Sequence, residues 1–247
     1  MRLRALATAV AAAALLSGCG GSSSSTTTSS TSTPSTSTTS PYALLPNGEA
    51  AKFADTIVDD AIAAASGATA VHIVGSVTNA GKPLKLNLNL VNGKGGAGTV
   101  TVNNLMFNIV RIGPKAYFKG GVAFWSHFGG SGLGTQLNGR WIEASATTGD
   151  LASFTPLTDL KELFTSVLGT HGPLEKATNQ LKINGEPAIA IVDSGSNDTL
   201  FVAADGPPYP LKLAEKDGGV VTFDRWNQPV SLEAPKNAVE LDKLKPG

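Results

Sequence analysis

Pro83-Leu84-Lys85-Leu86-Asn87-Leu88-Asn89-Leu90 alternates apolar and polar residues without a break. Side chains of an extended chain point alternately to opposite faces, so the four leucines share one face and Lys85, Asn87 and Asn89 the other. A strand with one dry and one wet face belongs to an antiparallel sheet. The flanking sequence continues the pattern. Residues 70–77 read as a preceding strand, with turn chemistry at Asn79-Ala80-Gly81-Lys82-Pro83. Downstream, Asn92-Gly93 opens a glycine-rich turn through Gly98, and residues 99–102 alternate again. Residues 105–112 and 116–119 follow, separated by Gly113-Pro114. This is a meander in which every strand has a face to bury.

The second half repeats the theme. Strands are expected at 140–144, 177–183, 188–192, 199–203, 211–214 and 220–226, with turns such as Asn184-Gly185 and Asp217-Gly218-Gly219 between them. The proline-flanked stretch 229–235 suits an edge strand. Two segments have helical period instead. In 49–66, Phe53, Ile57, Ala61 and Ala64 recur at three- or four-residue spacing, with Gly67 as a stop. In 158–168, Leu160, Leu163, Phe164 and Val167 form a stripe between Asp159 and Gly169. The glycine-rich stretch 120–139 reads as a loop carrying Phe124, Trp125 and Phe128. The expected class is α+β, with a twisted or half-closed sheet whose concave face receives the helices.

The N-terminus reads as an address. Arg2 and Arg4 precede an apolar stretch, and Leu16-Ser17-Gly18-Cys19 matches a lipobox. Residues 1–18 are then a signal peptide, and Cys19 is the lipidated residue that anchors the chain to the cell membrane from outside the cytoplasm. Residues 19–48 form a Ser/Thr-rich tether with too little apolar surface to fold. It is a bare spacer or an O-glycosylated one. Residues 49–247 are expected to be a single domain. Cleavage removes Arg2 and Arg4 from 19 basic side chains, which leaves a net charge of about −2 against 19 acidic ones. Such a neutral surface gives no reason to bind nucleic acid. With the single cysteine acylated, no thiol remains for redox chemistry or zinc.

Catalytic patterns are missing. His72, His127 and His171 are not at metal-ligand spacing, and Ser131 lies in Gly-Gly-Ser-Gly-Leu, one residue short of a nucleophile elbow. Asp59 and Asp60 are adjacent on a helix and point apart. No enzyme, metal or cofactor is expected. What remains is abundant apolar surface: the leucine comb, and the aromatic residues Phe118, Phe124, Trp125, Phe128 and Trp141. Both fit plain core packing, and both fit the lining of a binding cavity.

The order of features resembles that of the actinobacterial LppX/LprG-type lipoproteins, whose fold is similar to the carriers of the Lol system. The resemblance is carried by Ala65-Ser66-Gly67-Ala68 through His72, by Gly113-Pro114-Lys115-Ala116-Tyr117-Phe118-Lys119 and by Arg225-Trp226-Asn227-Gln228-Pro229-Val230. It implies a strongly bent antiparallel half-barrel sheet with helices packed on its concave face, enclosing an apolar cavity. It also implies binding, and transport, of acylated lipids or lipoglycans at the envelope, with an envelope export protein as a partner. On that reading Leu84, Leu86, Leu88, Leu90, Phe107, Ile109 and Phe118 are cavity walls. Phe124 and Trp125 form a lip, and Leu160, Leu163 and Phe164 line the helical side. The alternative is a protein-binding or sensor module of the envelope, with a filled core and no lipid ligand.

Overall fold

A computed structural model describes residues 47–79, 81–177 and 181–244. The leucine comb forms β2 (Lys82–Val91), between β1 (Ala70–Asn79) and β3 (Gly95–Val102). Its four leucines are buried while Lys85 and Asn87 are exposed. The meander continues through β4 (Leu105–Ile112), β5 (Lys115–Gly120) and β6 (Ile142–Ser145). After the helices come β7 (Leu174–Lys176), β8 (Leu181–Ile183), β9 (Glu186–Asp193), β10 (Thr199–Ala203), β11 (Pro210–Ala214), β12 (Val220–Asp224) and β13 (Val239–Glu240).

β12 returns antiparallel to β1 and fuses the two meanders into a single sheet of order β13-β6-β5-β4-β3-β2-β1-β12-β11-β10-β9-β7, with β8 also on β9. The sheet is strongly curved and unclosed. Its concave face receives α1 (Ala54–Gly67), α2 (Val122–Leu137), α3 (Leu160–Leu168) and a 3-10 segment, Asp150–Thr158. The fold is α+β, as the alternation predicts. One pair departs from the antiparallel rule: β13 runs parallel to β6.

Glycine helps to set the bend. The run expected to turn through Gly98 turns only at 92–94, and β3 already begins at Gly95. At Gly98 φ is 157°, and a Cβ there would lie 2.0 Å from the Asn87 carbonyl oxygen. Only glycine lets the β2 and β3 backbones meet in this way.

Four further expectations are corrected. The first helix begins at Ala54, after a 3-10 turn at Glu49–Ala51, so Phe53 is its N-cap and is exposed rather than part of the apolar stripe. Ile57, Val58, Ala61 and Ala65 carry that stripe, and the small alanines let α1 pack against α3. The stretch 177–183 is not a single strand, because β7 ends at Lys176 and β8 starts at Leu181. Residues 229–235 form no strand. They belong to a strap, 225–238, that leads from β12 to β13 at the far edge of the sheet. Val230, Ser231 and Leu232 share a hollow of about 440 Å³ with Gly93, Lys94, Ile112 and Gly113, so the strap crosses the ends of the β2–β3 and β4–β5 turns.

The largest correction concerns 120–139, which is helical. α2 is broken at Gly129 and Gly130, where Gly130 has φ 74° and ψ −179°, a conformation essentially reserved for glycine. A Cβ on Gly134 would lie 2.1 Å from Ser126 Oγ and 2.8 Å from the Val122 carbonyl oxygen. In an unbroken helix Val122 and Gly134 would be about 18 Å apart. The two halves therefore fold back on each other as a hairpin inserted between β5 and β6.

Candidate functional site

The concave interior is built from alternate residues of the central strands. β2 contributes Leu84, Leu86, Leu88 and Leu90, β4 contributes Phe107 and Ile109, and β5 contributes Phe118. The helical side supplies Phe124 and Trp125 from α2, and Leu160, Leu163 and Phe164 from α3. All twelve belong to one continuous apolar cluster. Each is 0–7% exposed, so in this conformation these side chains are closely covered by neighbouring atoms. Phe124 and Trp125 thus lie inside the cluster and not at an exposed rim.

The α2 side of the cluster is aromatic. The Phe107 ring lies 4.7 Å from Phe124 and 4.8 Å from Phe154, and Phe124 is 4.9 Å from Trp125 and 5.1 Å from Phe128. A second group surrounds α3: Phe164 lies 5.1 Å from Phe223 and 5.4 Å from Trp226, which stacks on Tyr209 at 4.5 Å. Trp226 Nε1–H donates to the Pro210 carbonyl, and Asn227 Nδ2 donates to the Tyr209 hydroxyl. Arg225-Trp226-Asn227 is thus the corner where the chain leaves β12. Trp141 is not in the aromatic group, and it carries the Lys119 ammonium 6.0 Å from its ring centre.

Sequence reading missed Phe154, Leu151 and Leu157, all on the 3-10 segment, which has neither strand nor helix periodicity. It also missed a cleft. Trp125, Phe128 and Leu133 from α2, Ala144 and Ser145 from β6, Thr148 and Gly149 from the following loop, Asp150 and Leu151 from the 3-10 segment, and Leu241 beyond β13 line about 260 Å³. The indole Nε1 of Trp125 is buried and has no hydrogen-bond partner among the described residues.

The polar groups serve the fold. His72 Nδ1 donates to Asp224 Oδ1 at 2.7 Å, and Nε2 meets Asn87 Oδ1 at 3.1 Å, so both ring nitrogens are engaged. His127 is exposed on α2, and so is Ser131, whose carbonyl accepts from Thr135. Asp60 and Glu49 both bind Lys52 Nζ, at 2.7 and 2.6 Å. Asp159 caps α3 by accepting from the Glu162 amide, and it pairs with Arg111 at 3.0 Å. Burial pushes its pKa up, but the Glu162 amide and the Arg111 guanidinium outweigh burial and hold the carboxyl below its usual range. Among the described residues no group of three or more His, Cys, Asp or Glu side chains could hold a metal. None of their helices is long and apolar enough to cross a membrane. Cys19 and most of the tether lie outside the described residues.

No family model and no curated protein sequence matches the chain. Among solved structures, LprF from Mycobacterium bovis matches with a TM-score of 0.51 and 15% identity, over 74% of this chain and 96% of that one. The fold is that of LprF. The LppX/LprG-type resemblance of the sequence therefore holds at the level of architecture. MucB matches with a TM-score of 0.33 and 14% identity, over 78% of this chain and 62% of that one. A LolA superfamily protein from Nitrosomonas europaea matches at 0.23 and 10%, over 78% and 100%.

Proposed function

We propose that this chain is a membrane-tethered envelope lipoprotein that binds acylated lipids or lipoglycans, and carries them, between its curved sheet and its helices. The supporting observation is the combination of an LprF-like fold with a continuous apolar cluster of leucine, isoleucine, valine, alanine and aromatic side chains between sheet and helices. An acyl chain leaving a bilayer loses about 0.8 kcal/mol for each CH₂ exposed to water, so it needs a dry apolar surface throughout the transfer. Cys19 would hold the domain at the membrane, and residues 19–48 would give it reach. The work needs no cofactor and no covalent chemistry.

The test is native mass spectrometry of the chain carrying Cys19→Ser, purified from an actinobacterial host. The expected result is an added mass that extracts into organic solvent. A clean mass, with no uptake when envelope lipids are offered, refutes lipid binding. The closely packed interior favours a second reading on its own account, an envelope protein-binding or sensor module with a filled core. A clean mass would select it.

A further inference from the structure

The helical hairpin, β6 and the C-terminal turn leave a cleft whose two sides differ in chemistry. Its inner wall is Trp125, Phe128, Leu133, Ala144, Leu151 and Leu241, and its outer rim is Ser145, Thr148, Gly149 and Asp150. The wall continues directly into the phenylalanine cluster through Phe128 and Phe124. Two properties point to a ligand. The Trp125 ring is 1% exposed, yet its indole N–H has no partner among the described residues. A buried donor without a partner is unfavourable, and an incoming oxygen atom would satisfy it. The rim holds two hydroxyls and one carboxylate, and among the described residues no Lys or Arg lines the cleft. That rim accepts hydrogen bonds from hydroxyls and repels a phosphate.

We propose that the cleft between the α2 hairpin and β6 seats one acyl chain bearing an uncharged, hydroxyl-rich headgroup, and is the door through which that chain reaches the interior. The inference rests on the lipid-binding reading above and adds the site and the headgroup class. The Trp125 N–H donates to the ester carbonyl of the chain, and Asp150 and Thr148 take the hydroxyls of a glycerol or sugar. The chain displaces Phe128 and slides along the aromatic cluster. The first half of α2 is the movable wall, because Gly129 and Gly130 interrupt its backbone where a hinge is required.

The test uses two probes with the same tail, monopalmitoylglycerol and palmitoyl lysophosphatidic acid, with binding to the full chain carrying Cys19→Ser read by native mass spectrometry. The expected result is about tenfold tighter binding of the glycerol probe. Asp150→Asn should narrow that preference at least threefold. Trp125→Phe, which keeps the ring and removes the N–H, should weaken both probes about fivefold or more. Ala144→Trp, which fills the cleft, should slow uptake at least tenfold while the thermal midpoint stays within a few degrees. Should Ala144→Trp fail to fold, Trp125→Phe and Asp150→Asn decide the matter alone. Uptake by wild type with unchanged rates, affinities and probe preference in the folded variants overturns the cleft while leaving lipid binding intact. No uptake of either probe or of envelope lipids by wild type overturns both.

Discussion

Leu88→Ala separates a container from a filled core. Leu88 sits mid-comb on β2 with 0% exposure. Truncating a fully buried leucine costs about 2–5 kcal/mol, part from lost transfer of apolar groups and the rest from the cavity left behind. The transfer part, at ~0.8 kcal/mol for each of three carbons, is about 2.4 kcal/mol. The cavity part is then up to about 2–3 kcal/mol. If an acyl chain lies against the comb when bound, it fills that cavity, and the variant recovers the cavity part only in the lipid-bound state. By linkage the variant must bind lipid more tightly, by roughly tenfold or more, since 1.4 kcal/mol is a factor of ten. Leu211→Ala is the control. Leu211 is also buried, at 6% exposure, but belongs to a separate small cluster with Ala188 and Ala203. Urea unfolding, with and without monopalmitoylglycerol, reads both quantities. Both variants should be destabilised in the apo state, and only Leu88→Ala should gain more stability from lipid than wild type does. An equal gain by both, or weaker lipid binding by Leu88→Ala, refutes the assignment of the comb as a cavity wall.

Three other expectations follow from the fold. Gly98→Ala puts a Cβ 2.0 Å from the Asn87 carbonyl oxygen at φ 157°, whereas Gly93→Ala, at φ 68°, meets nothing within 4 Å. The first should lose about 2–6 kcal/mol and the second about 1–2, read by urea denaturation, and equal losses would mean that the β2–β3 approach is not tight. Asp159→Asn keeps a capping residue and removes the ion pair with Arg111, at a cost of under about 1 kcal/mol near pH 7. The Asp159 carboxyl is depressed in the fold, so its contribution is present above the unfolded carboxylate pKa of about 3.9 and is lost as pH falls through the lower folded value. The gap between wild type and variant should close on acidification, and a gap independent of pH would contradict the ion pair. Trp226→Phe retains a ring against Tyr209 and Phe164 but loses the bond to the Pro210 carbonyl, which should cost about 1 kcal/mol in thermal or urea unfolding. No change in stability would show that this bond does not hold the corner.

The central sheet is legible because its period is two and its faces are chemically unlike: a single shift of register would put the leucines of β2 in water. α3 is legible for similar reasons, with a stripe at helical spacing, Asp159 as cap and Gly169 as stop. The α2 hairpin is not. Gly129, Gly130, Gly132 and Gly134 each lower helix propensity, and the segment is helical because burying Phe124, Trp125 and Leu137 overrides that preference. Phe154 escapes notice because a 3-10 segment has no long period to detect. The cleft was beyond reach for a different reason. Trp125, Ala144 and Leu241 are far apart in the sequence, and only the parallel pairing of β13 with β6 brings the last of them to the hairpin.

If the chain is a lipid container, as proposed, the cost of an empty cavity favours a packed interior in its unloaded state. An empty apolar cavity costs about 24 cal/mol per Å³, so a void of about 400 Å³ would cost about 10 kcal/mol. That is comparable with the whole stability of an ordinary domain, about 5–15 kcal/mol. Such a void must collapse unless something fills it, and short helices on an open, curved sheet can collapse by closing onto the comb. On the lipid-binding proposal, loading exchanges one set of apolar contacts for another: side chains of the cluster give up some of their present neighbours and take up the acyl chain. The net affinity falls below the intrinsic one by the cost of opening. For a carrier that loss is useful, because a protein that must release its lipid cannot hold it with the full free energy of burying the chain. The same exchange explains why truncating a wall residue should tighten binding, and why such a variant should also release its lipid more slowly.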